Sequence, residues 1–94
     1  MNEYEKHELN EYECRLFANM VRQTDRALNG LGAAMLHTAQ TLRPIAGAER
    51  MSGIMSVLGS LMTGFAEDIV REAGTVLAPI FGEGIDIHDP RLDT

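Results

Sequence analysis

His7 and Glu11 stand four residues apart, and Glu8 and Glu11 three apart, spacings at which two side chains share one face of a helix and could together hold a metal ion. Carboxylate metal centres in helical bundles use Glu-x-x-His motifs that project into the core. The chain contains no such motif, and these residues precede its apolar pattern, so a solvated charged leader is expected and no metal ligand is assigned. Cys14, the single cysteine, excludes an internal disulfide and a cysteine metal cluster. On an apolar seam it reads as a buried free thiol rather than a redox group. His37 has no Ser, Cys or carboxylate arranged beside it at helical spacing, so a packed, hydrogen-bonded core histidine is expected, and His88, next to Asp89, is expected at the surface. No strand leads into a glycine-rich phosphate loop. Catalytic residues and cofactors are therefore assigned as none, and the chain is expected not to be an enzyme.

Arg15, Arg22 and Arg26 lie seven and four apart on one side of a helix and make the best basic feature available. A formal net charge of -6 and a pI near 4.9 work against a grip on nucleic acid, and ion pairs to Glu67, Asp68 and Glu72 account for these arginines more simply. A weak DNA-binding regulator is a minor alternative. The acidity gathers at the two ends, in Glu3, Glu5, Glu8, Glu11 and Glu13 and again in Glu83, Asp86, Asp89 and Asp93, while Arg43 and Arg50 lie near mid-chain.

The elements that must carry these residues follow from periodicity. Cys14, Phe17, Val21, Thr24, Leu28, Leu31, Met35, Thr38, Leu42 and Ile45 alternate spacings of three and four, which predicts one long helix with a largely apolar seam. Its start is signalled at Asn10 by a capping box with Glu13 and a flanking contact of Leu9 with Cys14. Pro44 should end it, giving a helix over 10–42 and a turn over 43–47. A second helix is expected over 48–78, stopped by Gly74 and Pro79, with Gly53, Ser56, Ser60, Thr63 and Gly64 as a small-residue side for close packing. Residues 1–9 read as the leader and 79–94 as an acidic irregular tail that docks through Ile80, Phe81, Ile85 and Ile87. The fold class is all-α, a long antiparallel helical hairpin.

Charge is missing from Ala27 to Leu42 and from Met51 to Ala66, runs that mirror each other about the turn. An isolated hairpin exposes most of its circumference and has no reason to avoid charge there. Dimerisation into a four-helix bundle is expected, with Leu28, Leu31, Met35, Leu42, Met51, Ile54, Met55, Val57, Leu58, Leu61, Met62 and Phe65 at the oligomer interface. Phe81, Ile85, Ile87 and Leu92 are candidate partner-binding residues. The uncharged runs fall short of the roughly 20 apolar residues of a membrane span. With an acidic, polar start that is unlike a secretory leader, a cytoplasmic protein is expected.

In outline the chain resembles the small secreted helical hairpins that carry a Trp-x-Gly in the turn, but its turn reads Pro44-Ile45-Ala46-Gly47, and Phe81 precedes Glu83 at an interval unlike their secretion signal. The resemblance covers shape only. The leading functional expectation is a small non-enzymatic protein-interaction module, regulatory, adaptor or inhibitory, that works as a homo-oligomer on an unidentified protein partner. A structural assembly or scaffold component is the alternative, and a secreted or membrane-active hairpin a further one.

Overall fold

The computed structural model describes residues 8–93. Helix α1 spans Glu11–Leu42, helix α2 spans Glu49–Phe81, and a single turn of 3-10 helix, η1, covers Pro90–Leu92. The architecture is an all-helical hairpin, with no strand among the described residues. Its extents of 58 × 34 × 19 Å make it a plate one helix layer thick. Its radius of gyration of 18.1 Å compares with about 12 Å for a globule of this length. A single layer has no interior between layers, so most of each helix stays at the surface.

The start of α1 follows from its first residues. The Asn10 side chain accepts from the Glu13 amide at 2.8 Å while Glu13 Oε1 accepts from the Asn10 amide at 3.0 Å, so two amides of the first turn are satisfied reciprocally. Leu9 packs on the core beside Cys14. At the other end Pro44 stops the helix, and Gly47, at φ +88°, makes the reversal into α2. In the tightened last turn of α1 the Arg43 amide donates to the Gln40 carbonyl at 3.3 Å. The Ala39 carbonyl accepts instead from Ser52 Oγ at 2.7 Å, a buried bond from the opposing helix.

Helix α2 runs past its expected stop at Ala78 to Phe81, with Pro79 inside its last turn. A proline there removes one backbone bond and crowds the preceding turn, at a cost of about 3 kcal/mol. The compensation is tertiary: Leu77 is completely buried and Phe81 packs on the core. Gly82 at φ +90° and Gly84 at φ +81° then turn the chain back. The tail is not irregular throughout, because Asp89 accepts from the Arg91 amide at 2.9 Å and opens η1.

The helices meet along small side chains rather than along the expected seam. The buried positions of α1 are Cys14, Ala18, Val21, Gly32 and Ala39; those of α2 are Ser52, Gly59, Ala66, Ala73 and Leu77. In α2 four of them recur every seven residues, and Ala18, Gly32 and Ala39 keep the same period in α1. At the crossing of Gly32 and Gly59 a β-carbon on Gly32 would stand 2.9 Å from the Gly59 carbonyl oxygen, and one on Gly59 would stand 2.7 Å from Leu36 Cγ. The contact line is therefore turned by about one residue from the predicted seam. Cys14 and Val21 remain on it, while Leu31 stays 47 % exposed. Gly53 and Gly64, also expected at close contacts, have open space where a β-carbon would be, as does Gly30.

Candidate interaction surface

The plate has two broad sides, and the tail covers one end of one of them. Ile85, Ile87 and Leu92 join Cys14, Ala18, Val21, Ala73 and Leu77 in the core cluster, with Ile87 fully buried. Full burial of an Ile or Leu side chain contributes about 1.5–3 kcal/mol. Arg15 and Arg22 hold the tail from α1. Arg15 Nε donates to the Arg91 carbonyl at 3.3 Å, and Arg22 donates to the Leu92 carbonyl at 3.2 Å and pairs with Asp93 at 2.9 Å. These arginines were expected to pair with the acids of α2; instead Arg15 pairs with Glu11 on α1 and Arg22 with Asp93 of the returning tail. Arg71 pairs with Asp68 on its own helix. Arg91 lies 5.8 Å from the Phe81 ring centroid and bonds Asp89, whose carboxyl it holds below the usual carboxylate range.

The candidate partner-binding residues of the tail are thus occupied. Ile85, Ile87 and Leu92 face the core and in this conformation present no surface to another protein, while Phe81 packs against the core and stays partly exposed. The sequence admits both docking through Phe81, Ile85 and Ile87 and a partner-binding peptide; these three dock, on a flank of the hairpin around Val21 and Leu77 that exists only after α1 and α2 have paired. Ile80, also expected to dock, is 45 % exposed.

The opposite side carries the residues expected at an oligomer interface. Phe17 and Val21 of α1 line a shallow groove of about 300 Å³ together with Ile69, Ala73 and Val76 of α2, so these flanks share one side of the plate. Positions seven apart repeat that side along the hairpin: Phe17, Thr24, Leu31 and Thr38 in α1, Met55, Met62, Ile69 and Val76 in α2. Met51, Ile54, Leu58, Leu61 and Phe65 adjoin the second line and are all exposed, with Phe65 at 49 % and Val57, at the margin, at 60 %. Leu28, Met35, Leu42, Met55 and Met62 are half-buried between the helices and this side. In the half of the hairpin nearest the turn, the fully buried positions are Gly32, Ala39, Ser52 and Gly59, all small. The large apolar side chains of that half are left at or near the surface.

Other chemistry is sparse among the described residues. Burial first, and then the charge of Glu13, pushes the Cys14 thiol above its ordinary value, and its Sγ lies 3.9 Å from the Leu9 carbonyl oxygen. His37 is exposed on the far side of α1, contrary to the packed position expected for it, because the rotated contact line turns it away from α2. His88 is exposed. His7, one of the metal-spaced pair, lies outside the described residues. A cavity of about 720 Å³ lies between α2 and the tail, bordered by Val70, Gly74 and Ile85 with Arg71, Glu83 and Asp86 at its rim. Helix α2 is long and apolar enough to cross a membrane by length and composition, and 11 % of its most apolar window is buried in the monomer.

Sequence reading pointed to packing at Gly32, whose cost to the helix needs compensation, but missed Gly59 and Leu36, which covers it. The readable signal was the seven-residue spacing of Ser52, Gly59, Ala66 and Ala73. Comparison of the chain with family models, with curated proteins and with solved structures finds no match.

Proposed function

We propose that this chain is a non-enzymatic protein-interaction module whose working form is an oligomer built on the open apolar side of the hairpin. The observation that carries the reading is the exposure of Leu31, Met51, Ile54, Leu58, Leu61 and Phe65 on a plate 19 Å thick. Large apolar side chains gathered on one exposed face mark an interaction surface, and α2 bears no charge from Met51 to Ala66. Such a module regulates, bridges or blocks a second protein through whatever its assembled form leaves exposed.

Sedimentation of the unmodified chain at micromolar concentration tests the reading: a discrete oligomer is expected, and a well-folded monomer would sink it. Growth in mass with concentration would favour the scaffold reading over the regulator. The length and apolarity of α2 favour a lipid-facing hairpin as a second reading, for which flotation with phosphatidylcholine vesicles is the check.

A further inference from the structure

The tail is joined to the hairpin differently from the way the helices are joined to each other. Its backbone bonds are its own: the Asp89 amide donates to the Asp86 carbonyl at 2.9 Å, Leu92 to Asp89 at 3.0 Å and Asp93 to Pro90 at 3.1 Å. The Asp86 carboxylate accepts from the His88 amide at 2.7 Å and the Asp89 carboxylate from the Arg91 amide at 2.9 Å, so each turn is closed by a residue of the tail itself. Beyond Gly82, no backbone–backbone hydrogen bond links the tail to either helix among the described residues. Side chains hold it down: Ile85, Ile87 and Leu92 in the core cluster, and the contacts of Arg15 and Arg22 with Arg91, Leu92 and Asp93. Gly82 and Gly84 turn the chain at positive φ, and the cavity of about 720 Å³ opens between α2 and the stretch from Glu83 to Asp86. The helices, by contrast, meet through Gly32 on Gly59 and through Ser52 bonded to Ala39, contacts in which the tail has no part.

We propose that residues 79–93 form a strap that opens as one unit on a hairpin that stays folded, and so give the termini end of the plate a closed and an open state. The last turn of α2 belongs to the strap, because Pro79 supplies no amide to it and Arg91 of the tail lies over the Phe81 ring. Opening takes Ile85, Ile87 and Leu92 out of the core cluster and uncovers its hairpin half, Cys14, Ala18, Val21, Ala73 and Leu77. Another molecule reaches this flank only in the open state. A segment fastened by a few apolar side chains, with no main-chain ladder to its support, opens at a lower free energy than the elements beneath it.

Cys14 is a reporter already in place, the single cysteine of the chain and fully buried in the closed state. The test is native-state hydrogen exchange of the full chain at low denaturant, alongside labelling of Cys14 by a thiol reagent. The Leu92 and Gly82 amides and the Cys14 thiol are expected to share one opening constant, at least about tenfold larger than that of the slowest amides around Gly59 and Ala66 and nearly flat with denaturant. A single constant and a single denaturant slope for all of them overturns the proposal, because tail and hairpin then open together. Cys14 labelling that follows Gly59 while Leu92 opens more often also overturns it, since the tail would leave without uncovering the flank. Ser52→Ala gives a second readout. The Ser52 to Ala39 bond is present whether the strap is open or closed, so its loss should speed exchange around Gly59 about tenfold and leave Leu92 exchange and Cys14 labelling unchanged within about twofold. An equal rise in all three overturns the strap.

Discussion

A methyl group decides the fit of the two helices. At Gly32 and Gly59 an added β-carbon meets backbone oxygen at 2.9 Å, and a backbone cannot step aside as a flexible side chain can. Gly32→Ala is expected to cost about 1–3 kcal/mol, read by denaturant unfolding. Gly30→Ala, two residues away with open space around it, should stabilise by about 0.5–1 kcal/mol. An equal effect of the two substitutions would show that the crossing is not at Gly32. Cys14 makes a pH-dependent contribution. Its thiol value is raised in the folded state, so the neutral form is favoured by folding. That stability is fully present below the unfolded value, about 8.5, and is lost as pH rises through the raised folded value. Thermal unfolding between pH 8 and 10 should thus shift downward more steeply in the unsubstituted chain than in Cys14→Ala.

At the scale of elements, two ends are held by tertiary rather than local contacts. The last carbonyls of α1 depend on Ser52, which reaches across from α2 to Ala39. Ser52→Ala leaves that acceptor without its buried donor and should cost about 1–2 kcal/mol, measured by chemical denaturation. The end of α2 and the tail are mutually dependent, since Pro79 disfavours the last turn while Leu77 and Phe81 hold it through the cluster that Ile85, Ile87 and Leu92 complete. Leu92→Ala is expected to cost about 2–4 kcal/mol and to make Cys14 react with a thiol reagent at a rate approaching that of the unfolded chain. The Arg22–Asp93 pair at the rim, with Asp93 largely exposed, contributes under about 1 kcal/mol and sets where the tail lies more than how strongly it is held.

For the whole molecule, the plate shape separates stability from assembly. The termini end has a core of its own, made by both helices and the tail, whereas the turn end buries only small side chains. Leu61 is 45 % exposed in the single chain, so Leu61→Asp should leave helix content unchanged by circular dichroism while abolishing the proposed oligomer in sedimentation. Loss of both together would mean that the hairpin folds only as part of the assembly. The acidic pole and the docked tail lie away from the uncharged block and stay available in an assembly formed there.

Residue spacing by itself determined the hairpin: the Asn10 and Glu13 cap, the stop at Pro44, two long helices and the absence of charge near the turn are local or periodic features, and each has its physical cause within a few residues. Periodicity also marked the large apolar residues as a set, and Leu31, Met51, Ile54, Leu58, Leu61 and Phe65 among them stand exposed in the single chain. It could not say which line of each helix meets the other, because a stripe of large side chains and a stripe of small ones differ by only about one residue of rotation. Close approach at Gly32 and Gly59 settled that choice in favour of the small line and left Leu31, Leu58 and Phe65 outside. The fate of the tail was likewise tertiary. Ile85, Ile87 and Leu92 are too few to form an element of their own, and they are buried because the paired helices present a flank that Gly82 and Gly84 allow the chain to reach.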